Sequence, residues 1–187
     1  HSFGLGCLHT SLFVGSTVIL HRNTINVDEI FDTIKRYSAT TFAAVPATLS
    51  KILRENHDQV EKNFSNLRLV ITNSTPISAT TVNDFRNILK VGKIATYYGL
   101  TEASRSTFMV FDTYGKEESV GNPAPEVQIK IISKNNNEPG EIWIKGGNVI
   151  KKYWNNPEAD KNIIDGWLKS ADIGYFDNDG FLYIVGR

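Results

Sequence analysis

The sequence predicts an α/β fold in which a parallel βαβ sheet with flanking helices is followed by a smaller, β-rich, barrel-like unit. Up to about Tyr114, short apolar runs alternate with longer amphipathic runs, as they do in βαβ units. After Gly115, glycine, proline and asparagine separate short strand-like runs. The chain has 187 residues, 41% of them hydrophobic, and can bury a core. We therefore expect two domains, residues 1–115 and 116–187.

The first domain is expected to alternate strands with helices. Short runs rich in apolar and β-branched residues predict strands at Ser16–Leu20, Thr41–Val45, Leu67–Thr72 and Lys93–Tyr98. Apolar residues at helical spacing predict a helix at Val27–Tyr37, a helix that opens at Pro46 and a helix with Ser78 as its N-cap.

The second domain is expected to consist of short strands joined by tight turns. Strand-like runs occur at Val127–Ile132, Glu141–Lys145, Trp167–Lys169 and Phe181–Val185. The four residues Asp177–Gly180 predict a hairpin turn before the last of these strands.

Composition excludes several function classes. Twenty basic and twenty acidic residues cancel, so no overall charge attracts nucleic acid or an anionic membrane. No apolar run reaches the roughly 18 residues of a membrane span, and the chain start lacks the pattern of a secretory signal. The one cysteine, Cys7, lies among apolar residues and is interpreted as a small buried hydrophobe rather than a nucleophile. We expect a cytoplasmic protein that recognises its ligand locally.

The most informative stretch is Thr96-Tyr97-Tyr98-Gly99-Leu100-Thr101-Glu102-Ala103-Ser104, which follows a predicted strand. An aromatic face can stack on a purine, and a glycine lets the backbone approach a ligand. Threonine and glutamate oxygens can bind a phosphate-bound Mg²⁺. Tyrosine and glycine are also ordinary strand and turn residues, so a purely structural role stays open. Ligands collect beyond the carboxyl ends of parallel strands, so this stretch and residues 72–76 could line one cleft.

Several blocks in order resemble the adenylate-forming enzymes, the superfamily of acyl- and aryl-CoA synthetases, luciferase-like enzymes and adenylation domains of peptide synthetases. The resemblance spans essentially the whole chain. The blocks that carry it are His1-Ser2-Phe3-Gly4, Phe42-Ala43-Ala44-Val45-Pro46, Tyr97-Tyr98-Gly99-Leu100-Thr101-Glu102, Gly140-Glu141-Ile142-Trp143-Ile144-Lys145-Gly146, Tyr153-Trp154-Asn155-Asn156-Pro157-Glu158-Ala159, and Asp165 to Tyr175 running on to Gly186-Arg187.

The resemblance implies a carboxylate that attacks the α-phosphate of ATP and expels pyrophosphate. Carried over by position, Tyr98 would lie against the adenine, Thr101 would touch the phosphates and Glu102 would bind Mg²⁺. Asp172 would accept hydrogen bonds from the ribose hydroxyls, and Arg187 would contact ribose or phosphate at an inter-domain hinge. The neighbouring residues Tyr97, Gly99 and Leu100 would also line the nucleotide-binding site. The alternatives are a solvated loop acid for Glu102, a turn aspartate for Asp172 and a surface arginine for Arg187.

The sequence departs from the family pattern at two places. Asn73-Ser74-Thr75-Pro76 stands where the family usually has a Gly-Gly-Ala-Pro-like turn beneath the adenine, so either the turn takes another path or the adenine pocket is altered. We assign Ser74, Thr75 and Pro76 to nucleotide binding. The family Thr-Gly-Asp has become Ser170-Ala171-Asp172, which keeps the aspartate and loses the glycine.

The substrate is expected to be an acyl or aryl carboxylic acid. The resemblance places a histidine or aromatic residue beside the acyl pocket, a position held here by His1. Peptide-synthetase domains usually carry an aspartate in that segment for the substrate amino group, and this segment has none. We assign Val45, Thr48, Asn73 and Ser104, together with Gly99, as pocket walls. The acceptor would be CoA or the phosphopantetheine of an acyl carrier protein.

The chain is expected to be a fragment that is inactive alone. The family's Ser/Thr/Gly-rich phosphate loop with its lysine would precede the first block, and the small domain with the catalytic lysine would follow Arg187. Three hypotheses stay open: an ATP-dependent acid–thiol ligase, a non-catalytic nucleotide-binding or interaction module on the same scaffold, and an amino-acid adenylation domain.

Overall fold

The computed structural model describes residues 2–21, 26–55, 57–73, 75–135 and 138–187. Two compact units emerge, one of His1–Ala95 with Val110–Glu118 and one of Thr96–Met109 with Ser119–Arg187. The domain boundary near residue 115 stays a prediction.

Helices and strands alternate in the first half of the chain, and strands dominate the second half. The helices of the described residues are α1 (Ser2–Phe13), α2 (Val27–Arg36), α3 (Pro46–Ile52), α4 (His57–Phe64), α5 (Ala79–Ile88) and α6 (Pro157–Asp160). The strands are β1 (Thr41–Ala43), β2 (Leu69–Thr72), β3 (Lys93–Tyr98), β4 (Thr107–Val110), β5 (Asn122–Pro123), β6 (Gln128–Ile132), β7 (Gly140–Lys145), β8 (Ile163–Ile164), β9 (Trp167–Phe176) and β10 (Leu182–Gly186). Within the part of the chain that the structure describes, no helix has the length and apolarity to cross a membrane.

Local capping signals place the helix starts where the sequence predicts them. Pro46 occupies the first turn of α3, where a missing N–H leaves no intrahelical bond unmade. The Ser78 hydroxyl accepts a hydrogen bond from the Thr81 amide at 3.1 Å and caps α5. The predicted N-cap and the predicted proline start are both confirmed.

The prediction of a strand at Ser16–Leu20 is wrong. A helix ends shortly before these residues. Helix α1 ends at Phe13, and Gly15 closes it with a left-handed φ of +72° while its amide donates to Leu12 O at 3.0 Å. Residues 16–20 form no strand. A β-branched run becomes a strand only when another strand pairs with it. Cys7, predicted to be buried, lies on α1 and is only partly buried.

Phe64 is the centre of the core in the first unit. Its ring is fully buried and packs edge-on against Phe31 and Phe42, with centroid distances of 6.0 and 5.5 Å. Phe85 lies 5.9 Å away. One side chain therefore joins residues of α2, β1, α4 and α5 through aromatic contacts.

The sheet topology confirms the predicted fold class. Strands β1 and β2 pair in parallel, with Thr41 opposite Leu69 and Ala43 opposite Ile71. The first sheet has the strand order β1-β2-β3-β4-β5, and the second is antiparallel with the order β10-β9-β7-β6 and β8 beside β9. A parallel sheet with helices is thus followed by a β-rich unit, as the alternating and then punctuated sequence predicts.

The antiparallel sheet surrounds the core of the second unit. Alternate residues of β7 and β9 point inward, and β9 and β10 are joined by the predicted hairpin turn, where Gly180 N donates to Asp177 O at 3.0 Å. The buried residues of this core are Tyr98, Ala103, Ile142, Ile144, Leu168 and Leu182.

Within the first unit, Arg86 ties α5 to the segment 110–118. Its Nε donates to Phe111 O at 2.7 Å and its Nη2 to Thr113 O at 2.8 Å. Its Nη1 donates to the Glu117 carboxylate, and the two side chains are only 11% and 12% exposed. This hydrogen bond from Arg86 holds the pKa of Glu117 below its ordinary value.

We expect Glu117→Gln to lower the free energy of unfolding by about 1–2 kcal/mol at neutral pH, because it weakens a hydrogen bond to a charged partner. A carboxyl group whose pKa is lowered in the folded state stabilises it above the ordinary pKa, and this contribution is lost as pH falls through the lowered pKa. The gap between wild type and variant should therefore shrink below about pH 4.

Urea unfolding at several pH values measures this gap. Glu61→Gln is the matched control, because the Glu61–Lys90 ion pair is far more exposed and should contribute little. A gap for Glu117→Gln that is the same at all pH values would contradict the assignment.

Candidate functional site

Residues 96–104, here called the motif, fold back after β3 in a tight turn, here called the motif turn. Leu100 N donates to Ala103 O at 3.1 Å, and Ser106 N donates to Tyr98 O at 2.8 Å. A Cβ atom on Gly99 would lie 2.6 Å from both Ala103 O and Arg105 N, so only glycine fits there. The turn leaves Thr101 exposed and Glu102 half-buried at its tip.

Both tyrosines of the motif are largely buried. Tyr98 is 8% exposed and belongs to the core of the second unit, while Tyr97 is 5% exposed. The Tyr98 hydroxyl donates to Asp172 Oδ2 at 2.8 Å. Burial, and then the Asp172 charge, raise the pKa of Tyr98 well above its ordinary value, so the hydroxyl keeps its proton and remains a donor. The stacking role of Tyr98 stays a prediction, and little of its ring is available without rearrangement.

Asp172 lies in a bulge of β9, where the register with β7 shifts between Glu141 and Trp143. Ala171 has a left-handed φ of +61°, which favours glycine, so the departure from the Thr-Gly-Asp pattern falls at a strained position. The Ala171 amide donates to Glu141 Oε1 at 3.3 Å, and the Asp172 amide donates to Ser170 Oγ at 3.0 Å. Arg187 Nε lies 3.7 Å from Asp172 Oδ1, so the buried carboxylate has a cation beside it as well as a donor.

A cavity of about 180 Å³ opens beside the motif turn and the β9 bulge in the second unit. Its charged groups are two carboxylates, Glu102 and Glu141, and two cations, Lys169 and Arg187. Asp172 adjoins the lining residue Ala171. The remaining lining residues are Leu100, Tyr153, Asn162, Leu168 and Ser170. Within the described ranges, no three His, Cys, Asp or Glu residues cluster as a metal site.

Tyr153 and Lys169 are among the cavity residues that were not predicted as site residues. The Tyr153 hydroxyl donates to Glu102 Oε1 at 3.2 Å. Burial, and then the Glu102 charge, raise the pKa of Tyr153 above its ordinary value. Lys169 Nζ lies 5.3 Å from the centre of the Trp143 ring. Both residues lie inside family-like blocks of the sequence, which is the signal that could have found them.

The residues predicted for the acyl pocket and the altered turn are divided between the units. Ser104 belongs to the second unit, where its carbonyl accepts a hydrogen bond from Asn148 Nδ2 at 3.1 Å. The first-unit residues comprise a buried Thr48, a half-buried Asn73 and the exposed Val45, Thr75 and Pro76. Their predicted roles in binding the nucleotide or the acid stay predictions. His1 and Ser74 lie outside the described residues.

Comparison with known proteins gives a family and several relatives. A family model described as AMP-binding enzyme matches residues 1–154. The chain is 31% identical to the 4-coumarate–CoA ligase-like protein 6 of Arabidopsis thaliana, and the match covers all of this chain and 35% of that protein. The chain thus spans little more than a third of the length of this relative.

Solved structures of similar proteins have the same fold. O-succinylbenzoate Coenzyme A synthetase (MenE) from Bacillus subtilis, in complex with ATP and a magnesium ion, is 31% identical with a TM-score of 0.83 over 98% of this chain and 39% of that chain. The same enzyme with the acyl-adenylate intermediate OSB-AMP gives a TM-score of 0.86 over 100% of this chain and 39% of its own. The amide bond synthetase McbA from Marinactinospora thermotolerans is 25% identical, with a TM-score of 0.88 over 98% of this chain and 38% of its own.

Gly99→Ala should lower the free energy of unfolding by about 1–3 kcal/mol, because the added methyl group meets backbone atoms that cannot move without opening the turn. Gly147→Ala is the matched control in the same unit, since a Cβ there meets nothing within 4 Å. Its stability should stay within about 0.5 kcal/mol of wild type. Urea unfolding of both variants checks the turn geometry, and equal stabilities would contradict it.

Proposed function

The chain belongs to the AMP-binding enzyme family, and from that premise we propose that it carries part of the active site of an ATP-dependent acid–thiol ligase. The enzyme would join a carboxylic acid to AMP: a carboxylate oxygen attacks the α-phosphorus of ATP, and the bond to pyrophosphate breaks. A thiol would then attack the acyl carbonyl carbon, and AMP would leave. The relatives named above include CoA ligases and a synthetase with a bound acyl-adenylate, which supports this order of steps.

One observation carries the proposal: the cavity in the second unit brings together the groups that a nucleotide needs. Lys169 and Arg187 supply positive charge for phosphate oxygens, and Arg187 also lies beside Asp172. Asp172 would accept hydrogen bonds from ribose hydroxyls. The hydrogen bond that Asp172 accepts from Tyr98 fixes the carboxylate before any ligand arrives, so little reorganisation of the site is needed on binding.

The donor set of the cavity fits a magnesium ion that arrives with ATP. Mg²⁺ typically binds one or two protein carboxylates and completes its shell with phosphate oxygens and waters. Glu102 would be the protein ligand, and Thr101, exposed beside it, would contact the phosphates. When bound, Mg²⁺ offsets the negative charge that shifts onto the leaving oxygens. The similarity to MenE, which was solved in complex with ATP and a magnesium ion, supports ATP and magnesium as the ligands.

The substrate would be an acyl or aryl acid, fatty acids included, held by Val45, Thr48, Asn73, Ser104 and His1. The acceptor would be CoA or a carrier-protein phosphopantetheine. The CoA ligases among the relatives favour CoA as the acceptor. Because the chain is also similar to an amide bond synthetase, an amine is the alternative acceptor that has to be excluded. A cytoplasmic location would supply both ATP and CoA.

A non-catalytic nucleotide-binding module is the second candidate, and one observation favours it. Ala171 adopts a left-handed conformation in the β9 bulge, at a position where the family has glycine. The resulting strain at the residue before Asp172 could weaken nucleotide binding. Pyrophosphate exchange in the complete protein separates the two candidates, because a non-catalytic module would bind AMP or ATP without exchanging pyrophosphate.

In the complete protein that contains this chain, Glu102→Gln and Asp172→Asn should each slow carboxylate-dependent pyrophosphate exchange about 100-fold, the scale expected for the loss of one preorganised electrostatic contact. Glu158→Gln is the control, because this carboxylate pairs with Lys161 on the exposed surface and should leave exchange unchanged. A panel of fatty, aromatic and amino acids in the same assay identifies the substrate class. Wild-type exchange in both site variants would overturn the proposal.

A further inference from the structure

Residues 148–153, here called the clasp segment, hold the motif turn from one side within the second unit. Ile150 N donates to Glu102 O at 2.9 Å, and Ala103 forms a β-bridge with Val149. Asn148 Nδ2 donates to Ser104 O at 3.1 Å. The backbone of the motif turn is therefore fixed at successive residues by a segment about fifty positions further along the chain.

The clasp segment ends at Tyr153, whose side chain reaches the functional end of Glu102. The Tyr153 hydroxyl donates to Glu102 Oε1 at 3.2 Å, and both side chains line the cavity. Tyr153 is itself anchored, because its backbone N donates to Asp160 Oδ1 at 2.7 Å. A carboxylate accepts at several lone-pair sites, so one hydrogen bond fixes the rotation of the group and leaves sites open for a metal.

Donors of this kind control how tightly a carboxylate binds metal. A hydrogen bond from a neighbouring side chain orients a ligating group before the metal arrives, and its loss typically costs 10–100-fold in metal affinity or activity. The simpler reading is a tyrosine that stabilises the loop. Substitution of a tyrosine with that role would change the stability of the protein, and the change would be the same with and without magnesium.

We propose that Tyr153 is a positioning residue that orients the Glu102 carboxylate for the magnesium ion that accompanies ATP. The proposal rests on the proposed function, because it takes Glu102 to be the magnesium ligand. Tyr153 itself touches neither the nucleotide nor the reacting atoms. Its effect should appear as a loss of metal-dependent binding while the affinity for metal-free nucleotide is retained.

Calorimetry on the complete protein tests this with Tyr153→Phe. We expect the affinity for ATP with Mg²⁺ to fall about 10-fold, while the affinity for ATP in EDTA and the thermal unfolding midpoint stay at the wild-type values. The Mg²⁺ concentration for half-maximal pyrophosphate exchange should rise by a similar factor, with the KM for the acid unchanged. Tyr175→Phe is the control, because it also removes a tyrosine hydroxyl from the second unit, at a residue whose ring stacks on Tyr183.

A second pair of variants separates failure of the inference from failure of the proposed function. Glu102→Gln should abolish the difference between ATP binding with and without Mg²⁺, and adding Tyr153→Phe to it should change nothing further. If Glu102→Gln keeps the magnesium dependence, the assignment of Glu102 fails and the inference fails with it. If Glu102→Gln loses the dependence while Tyr153→Phe behaves as wild type, only the role of Tyr153 is overturned. An equal loss of affinity with and without Mg²⁺ in Tyr153→Phe would also overturn it.

Discussion

The hydrogen bond from the Tyr98 hydroxyl to the Asp172 carboxylate is the constraint around which the second unit is organised. Both residues are buried, and a buried carboxylate without a donor strongly destabilises a fold. The bond joins the end of β3 to β9. Gly99 comes directly after Tyr98, and Ala171 comes directly before Asp172, so the same contact fixes the motif turn and the β9 bulge. The cavity is lined by residues of this turn and of this bulge.

Helix starts that depend on local interactions could be predicted from the sequence, whereas the existence and extent of some strands depend on pairing and could not. Pro46 and the Ser78 cap match the predictions because each has a local cause. The bounds of β3 also match. The run Ser16–Leu20 has strand propensity but no strand forms there. β9 runs on to Phe176, past the predicted end at Lys169, because a bulge at residues 170–172 shifts its register with β7 and the pairing resumes at Ile173.

The candidate site shows the same division between local and long-range information. Glu102, Asp172 and Arg187 could be proposed because they lie in recognisable blocks. Tyr153 could not be assigned to Glu102 from the sequence, since 51 positions separate them and only the folded clasp segment brings them together. The burial of Tyr98 is equally a tertiary effect. An aromatic residue at a strand end is equally compatible with a purine platform and with a core position.

A crystal structure of the complete protein with bound AMP tests the central claim most directly. Our account predicts that the ribose hydroxyls lie within hydrogen-bonding distance of the Asp172 carboxylate and that the phosphate lies in the cavity beside Glu102, Lys169 and Arg187. AMP bound away from these residues, in crystals where the turn at Gly99 and the β9 bulge at Ala171 are well ordered, would contradict it.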